Sequence, residues 1–523
     1  MPDSLCKLFR YGAENKPNEV AITDGTGKLT YGELEVASSN LCALFTSHGV
    51  NARDHIVVLT EKSIVVPLIV GAIWKAGACY VPVDAENPAA RTQKLVASIQ
   101  PTVLLGDEKS REKFAGYTYI SFQEVQQLAE RDSKISISPQ EVSLDDIGYI
   151  IHTSGSTGEP KGVKISHRSL LAYFASHNSI LQFNHGSRVL RFSPFHFDLS
   201  IEDTILPLGL GAYVFLYKGM LLGPIVKSVM KNESITHLVA VSTILGILGE
   251  NSTPVTDEFF PDLKTIVTGT ERCVASVVNE WLDKADDLRV LNGYGPTEVT
   301  INCVSHTITK SNALASGAYP IGIAMDGVDI KLIDDVGEEI IDPGIQGELW
   351  AGGIQVMVGY HDKLQETREV IKKWSGIRYY KTGDICEYTS DGDLFYVGRV
   401  DNEVKLEGKR IHLGEIQSQI LKLDRASQVV VGTVKVGDRQ KICAILVGLT
   451  DSSAFDDVII KTSNVLPQWM MPKVWAIASK PAQSTTGKTH EKELVGTLQV
   501  AVDTVSSNKY VQTQDGGFLP YRE

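Results

Sequence analysis

The chain has 523 residues, of which 43% are hydrophobic and 22% charged, and a formal net charge of −13. That length predicts three or four units of roughly 150 residues, or fewer large ones, and the acidic balance excludes a general nucleic-acid binder, which carries a basic face. The seven cysteines are scattered, odd in number and never form C-x-x-C, which argues against a disulfide framework or zinc site and for buried, inert thiols.

The first twenty residues contain no long apolar run, so no secretory signal is expected. HIVVLT (55–60) reads as a buried strand. SIVVPLIVGAIWKAGACYVPV (63–83) is the most apolar stretch, but it carries Pro67, Lys75, Pro82 and several glycines. It predicts a buried helix leading into a strand rather than a membrane span. A cytoplasmic protein with no membrane partner is expected. THLVAVS (236–242), LKTIVTG (263–269) and LRVLNG (288–293) are further strand-like runs, several ending at a loop in Gly or Thr as in α/β sheets. From about residue 325 the texture changes. DIKLIDDVGEEIIDPGIQGELWAGG predicts short strands with tight turns, and DLFYVGRVDNEVKLEGKRIHLGEIQSQI reads as strand, charged turn, strand and helix. The remaining hundred or so residues suit a small α/β domain, with the boundary in GRVDNEVK (398–405).

The stretch IIHTSGSTGEPKG (150–162) joins an apolar strand to a loop of glycines, hydroxyls and one lysine. Glycines let backbone approach a polyphosphate, hydroxyls and amides donate to it, and Lys161 offsets its charge. A solvated Gly/Ser loop is the competing reading from composition alone. The loop is not a P-loop, because Lys161 lies between Pro160 and Gly162; the later GKT (487–489) fails because residue 482 is Ala. No G-x-G-x-x-G marks a dinucleotide site here.

Other stretches narrow the choice. NGYGPTEVT (292–300), YYKTGD (379–384), GRVDNEVK and STTGKTHEKEL (484–494) follow in order, with LTYGEL (29–34), WKAGACYVPVD (74–84), FHFDLS (195–200) and GELWAGG (347–353) between and before them. Together they resemble the adenylate-forming superfamily of acyl-CoA synthetases, luciferases and nonribosomal peptide synthetase adenylation domains, in its amino-acid-activating branch. The resemblance implies an α/β fold: a large N-terminal part (1–400) of two α/β sheets and a distorted β-barrel, and a small mobile α+β lid (401–523) hinged at Asp401. It implies that a carboxylate and Mg-ATP give an acyl-adenylate and pyrophosphate, followed by transfer to a thiol.

By the same resemblance, Thr153, Ser154, Gly155, Ser156, Thr157, Gly158 and Lys161 handle the β- and γ-phosphates. Thr297 contacts the α-phosphate, Glu298 holds Mg²⁺, and Tyr294 stacks near the adenine within Asn292-Gly293-Tyr294. Asp384 takes the ribose hydroxyls, with Tyr396 and Arg399 nearby. Lys488 bridges substrate carboxylate and α-phosphate and is the expected catalytic lysine. Two departures stand out: Thr486-Gly487-Lys488-Thr489-His490-Glu491 replaces N-G-K-x-D-R, and Glu407 stands where a basic residue is common.

The substrate pocket implied is Asp198, Leu199, Glu202, Val239, Val267, Gly269, Gly293, Ile301 and Asn302. Asp198 pairs with an α-ammonium, which argues against an acyl- or aryl-CoA synthetase, since an unpaired buried carboxylate is costly. Glu202, the other acid, then calls for a basic side chain, with the glycines leaving space for it. The alternative puts Glu202 and Asp203 on a solvated helix face and fits a small neutral substrate, as in the D-alanine–carrier ligases, whose FDLS stretch is similar. DGGFLPYRE (515–523) lacks a carrier-type serine, so a free-standing ligase charging a separate phosphopantetheinylated carrier protein, or alternatively coenzyme A, is expected.

Overall fold

The computed structural model describes residues 4–129, 140, 142–155, 159–249, 260–283, 287–400, 403–437, 439–449, 454–478, 491–505, 507–513 and 518–520. Ser156, Thr157, Gly158, Asp401 and Lys488 lie outside the described residues. The chain forms two compact units. The first comprises Met1–Ala85, Val96–His152 and Gly162–Val400; the second comprises Glu86–Leu95, Thr153–Lys161 and Asp401–Glu523.

The first unit is built on three sheets. One has seven strands, in the order Gly359–Tyr360, Lys161–Ser166, Ile147–Thr153, Cys79–Asp84, His55–Thr60, Val103–Gly106 and Tyr119–Ser121. The apolar stretch at 63–83 resolves, as expected, into the helix Val65–Lys75, buried at every position, and the strand Cys79–Asp84. Its two polar groups are satisfied inside: Trp74 Nε1 donates to the Gly148 carbonyl (2.8 Å), and Lys75 Nζ pairs with Glu35 (2.8 Å) and donates to Ser38. No helix among the described residues is long and apolar enough to cross a membrane.

The second sheet has nine strands, parallel in its centre and antiparallel at both edges. Its central order Arg289–Tyr294, Thr265–Gly269, His237–Val239, Arg188–Arg191, Tyr213–Leu216 brings three of the expected strands together. The strand in THLVAVS is shorter than the apolar run, because the chain turns at Val241 into the helix Ser242–Gly249. The third sheet is antiparallel and matches the predicted β-rich region, with Val328–Ile333, Gly347–Gly353, Ile377–Tyr388 and Leu394–Arg399 among its strands.

In the second unit, Glu403–Leu406 and Lys409–His412 form a hairpin. Its two turn residues, Glu407 and Gly408, have φ of +52° and +75°, as a tight two-residue hairpin requires. A five-stranded sheet follows, with Gln428–Val436 and Arg439–Val447 paired residue by residue. Alternation along these strands fills two cores: Val429, Ala444 and Leu446 face one, Val430, Cys443 and Ile445 the other. All seven cysteines are free and buried.

Candidate functional site

The parallel strands of the nine-stranded sheet end together, and their C-terminal ends and the segments that follow carry the expected substrate residues. Phe192–Leu199 follows the strand Arg188–Arg191, and the chain then enters a π-helical turn, Ile201–Ile205. Such turns are rare and recur at functional sites. Asp198 precedes the turn; Glu202 and Asp203 lie within it.

Asp198 is half-buried and makes no ion pair among the described residues. Burial pushes its carboxyl up to about 6, and the charges of Glu298 and Glu202 add to the rise; hydrogen bonds from Thr297 and the Leu199 amide oppose it. Thr297, expected at the α-phosphate, is thus among the groups that hold the Asp198 carboxyl down. Tyr149 is wholly buried beside these acids, and its hydroxyl has no hydrogen-bond partner.

Neither Glu202 nor Asp203 faces solvent: both are fully buried, which overturns the solvated-face alternative. Asp203 lies 3.0 Å from Arg191 Nε, and that guanidinium packs over the Phe195 ring. Glu202 is not a lone carboxylate either. Its Oε2 accepts hydrogen bonds from the Tyr173 hydroxyl and Asn302 Nδ2 (2.7 Å) and lies 2.9 Å from His177 Nε2.

Val239, Val267, Ile301 and Asn302 are all buried, and the sheet register sets Val239 beside Val267 and Gly269 beside Gly293. The glycines do not open room for a long side chain. A Cβ on Gly269 would lie 2.3 Å from the Gly293 carbonyl oxygen, and one on Gly293 would lie 3.0 Å from the Asn302 amide. Gly269 permits close approach of the adjacent backbone, and Gly293 leaves room for the Asn302 side chain.

The YGPTE stretch forms a 3₁₀ turn, Thr297–Val299, followed by Thr300 and Ile301 at φ of +57° and +69°. β-Branched residues rarely adopt this conformation. Gln355 holds it: its backbone carbonyl oxygen accepts from Thr300 Oγ1 (2.6 Å), and its side-chain Nε2 donates to the Val299 and Asn302 carbonyls. Glu298 is buried, and its Oε1 accepts from the Tyr360 hydroxyl (2.9 Å). One carboxylate of this kind suits Mg²⁺, which keeps most of its ligands as phosphate oxygens and water.

The residues expected at the nucleotide converge on the third sheet. Asp384 and Arg399 are register partners on adjacent strands, and Arg399 Nη1 donates to Asp384 Oδ1 (2.7 Å). Tyr294 donates its hydroxyl to Asp384 Oδ2, and its ring lies 6.4 Å from that of Tyr396. Asn292 instead donates to the Pro320 carbonyl.

Thr153, Ser154, Gly155 and Lys161 group with the second unit. There Ser154 Oγ donates to the Arg410 carbonyl and accepts from His412 N–H, both at 3.1 Å. Gly155 N–H donates to Glu415 Oε2 (3.3 Å), whose other oxygen pairs with Arg91 (2.7 Å). A Cβ on Gly155 would meet the Glu159 carbonyl oxygen at 2.1 Å, so glycine is required there.

Sequence reasoning missed Tyr149, Tyr173, His177, Arg191, Gln355 and Tyr360. Tyr173 and His177 left one usable signal, polar groups four residues apart on the largely buried helix His167–Leu181. The others are joined to the site only by folding.

The chain belongs to the AMP-binding enzyme family, the adenylate-forming enzymes, which it matches over residues 9–361. It is 29% identical to bacitracin synthase 3 of Bacillus licheniformis over 94% of its own length and 8% of that protein. It is 30% identical to gramicidin S synthase 2 of Brevibacillus brevis, covering 94% of the chain and 11% of the relative. The chain thus spans about a tenth of the length of these relatives. Among solved structures it is similar to holo-PA1221, an NRPS protein containing adenylation and PCP domains, bound to a vinylsulfonamide inhibitor. The TM-score is 0.81 at 23% identity, over 94% of this chain and 84% of that one. The Vibrio cholerae adenylation domain AlmE in complex with glycyl-adenosine-5'-phosphate matches with a TM-score of 0.78 at 20% identity, over 94% and 97% of the two chains.

Proposed function

We propose that the protein activates an α-amino acid with ATP, releasing pyrophosphate, and passes the aminoacyl group to the phosphopantetheine thiol of a separate carrier protein. The observation that carries this reading is Asp198: a half-buried carboxylate, costly to ionise, with no ion pair among the described residues. A substrate ammonium relieves that cost; a fatty or aryl acid brings nothing to it. Bacitracin synthase 3 and gramicidin S synthase 2 support the same direction by their similarity, and AlmE is bound to an aminoacyl adenylate.

The case for a basic side chain rested on Glu202 lacking a cation and on glycines leaving space. Glu202 already has partners in Tyr173 and Asn302, with the His177 ring 2.9 Å away, and the close approach of the Gly293 backbone to Gly269 removes the second. A short, uncharged side chain fits the observed walls better. Asp384 would take the ribose diol in exchange for its present hydrogen bond from Tyr294, with Arg399 keeping its charge in place. Glu298 would hold Mg²⁺, which when bound screens the triphosphate. Lys488 and Asp401 keep the bridging and hinge roles that the resemblance implies.

The test is ATP–pyrophosphate exchange with pooled amino acids, fatty acids and aryl acids, followed by loading of a carrier protein. Exchange with amino acids alone is expected. Lys488→Ala is expected to slow exchange by roughly 10²–10³-fold while sparing transfer from supplied aminoacyl-adenylate. Exchange supported by fatty or aryl acids alone would overturn the reading.

A further inference from the structure

Arg191 is the last residue of the strand Arg188–Arg191, and its backbone lies between Leu216 and Val239 of the neighbouring strands. Its side chain is fully buried. Nη2 donates to the Ser193 carbonyl, Nε lies 3.0 Å from Asp203 Oδ1, and the central guanidinium carbon stands 4.4 Å from the centroid of the Phe195 ring. These three partners bracket Asp198, which lies midway between Ser193 and Asp203 in sequence. Inside the bracket the chain is wound on itself. Phe197 N–H donates to the Pro194 carbonyl (3.2 Å), Ser200 Oγ to the Phe197 carbonyl (2.7 Å), and Ile201 N–H to the Asp198 carbonyl (2.8 Å).

A guanidinium is a rigid, permanently charged fork, so the groups it holds are fixed relative to one another. As a source of stability the arrangement is poor. Nη1 is buried with no hydrogen-bond partner, and apolar side chains often replace a buried ion pair at no cost in stability. What an apolar pair cannot reproduce is the fixed spacing of Ser193 and Asp203. We infer that Arg191 is a positioning residue: it braces both ends of the segment 193–203 and thereby sets Asp198 where the substrate α-ammonium meets it. This rests on the amino-acid-activating reading above. Arg191 itself touches no reacting atom, and its effect reaches the substrate through Asp198 alone.

The test uses Arg191→Met/Asp203→Leu, which removes the brace without stranding a charge, and Arg191→Lys, which keeps a cation but lacks the planar fork. Pyrophosphate exchange is measured with the amino acid the pool selects and with its α-hydroxy counterpart (alanine with lactate, leucine with 2-hydroxyisocaproate), which has no ammonium for Asp198. The double variant should raise the amino-acid KM on the order of 10- to 100-fold, the scale of a small misplacement of a binding group, with the KM for ATP unchanged. The preference for amino acid over hydroxy acid should fall by the same factor, and Arg191→Lys should move it in the same direction. A merely structural role would lower both acids together and leave the preference intact; that outcome overturns the inference. If the double variant does not fold, an unchanged preference in Arg191→Lys overturns it equally. A wild type that takes the hydroxy acid as readily as the amino acid would instead overturn the proposed role of Asp198, and the inference with it.

Discussion

Asp198→Asn separates the site's chemistry from its packing. Burial lifts the Asp198 carboxyl from its ordinary 3.8 to about 6, so between those pH values the folded protein holds a proton that the unfolded chain has released. Stability contributed by the protonated form is complete below about pH 4 and lost as pH rises through 6. At about 1.4 kcal/mol per pH unit, the rise of about 2 costs the ionised wild type about 3 kcal/mol, an upper figure because the group is half-buried. Asparagine has no such cost and keeps an acceptor for Thr297. Urea unfolding at pH 8, 6 and 5 should show the variant more stable than wild type at pH 8, with the gap shrinking towards pH 5. The same variant should lose amino-acid-dependent exchange, because the ammonium has no counter-charge. A variant no more stable at pH 8, or a gap that does not change with pH, would refute the reasoning.

Other outcomes follow from the buried groups. Arg191→Met should cost roughly 3–5 kcal/mol in urea unfolding by stranding Asp203, and Arg191→Met/Asp203→Leu should recover most of it. Gln355→Met removes the donor to two buried carbonyls while leaving the backbone acceptor for Thr300, so it should cost about 1–3 kcal/mol and raise the amino-acid KM by loosening Ile301 and Asn302. Gly269→Ala forces a Cβ against the Gly293 carbonyl and should cost about 1–3 kcal/mol, seen as a lower thermal midpoint with reduced exchange.

Local patterns carried far in this chain. The apolar stretch ending in TSGSTG, the strand-to-loop run at NGYGPTE and the helix-into-strand reading of 63–83 depend on neighbours in sequence, and each element is where its pattern puts it. The misreadings share a different cause. The alternative that set Glu202 and Asp203 on a solvated face follows from adjacent charges usually marking an outer surface, but here a π-turn buries both. Their partners are distant: Tyr173 is 29 residues from Glu202, and Asn302 is 100 away. Gly269 and Gly293 illustrate the limit for small residues. A missing Cβ leaves either a hole or room for another backbone, and only the strand register distinguishes the two. Gln355 carried no signal at all, because its work is to hold a strained loop 55 residues upstream.

The second unit includes pieces made early in synthesis, Glu86–Leu95 and Thr153–Lys161. Arg91 waits 324 residues for Glu415, and Gly155 waits 260. At roughly 5–20 residues per second, a ribosome needs about 15–65 s to cover the longer interval. Throughout it Arg91 and Gly155 are without their partner Glu415. A fragment starting at residue 401 would lack both early pieces and leave Glu415 buried against nothing. Shortening that interval by circular permutation, with residues 403–520 translated first, would let the five-stranded sheet form early while Glu415 waits for its arginine.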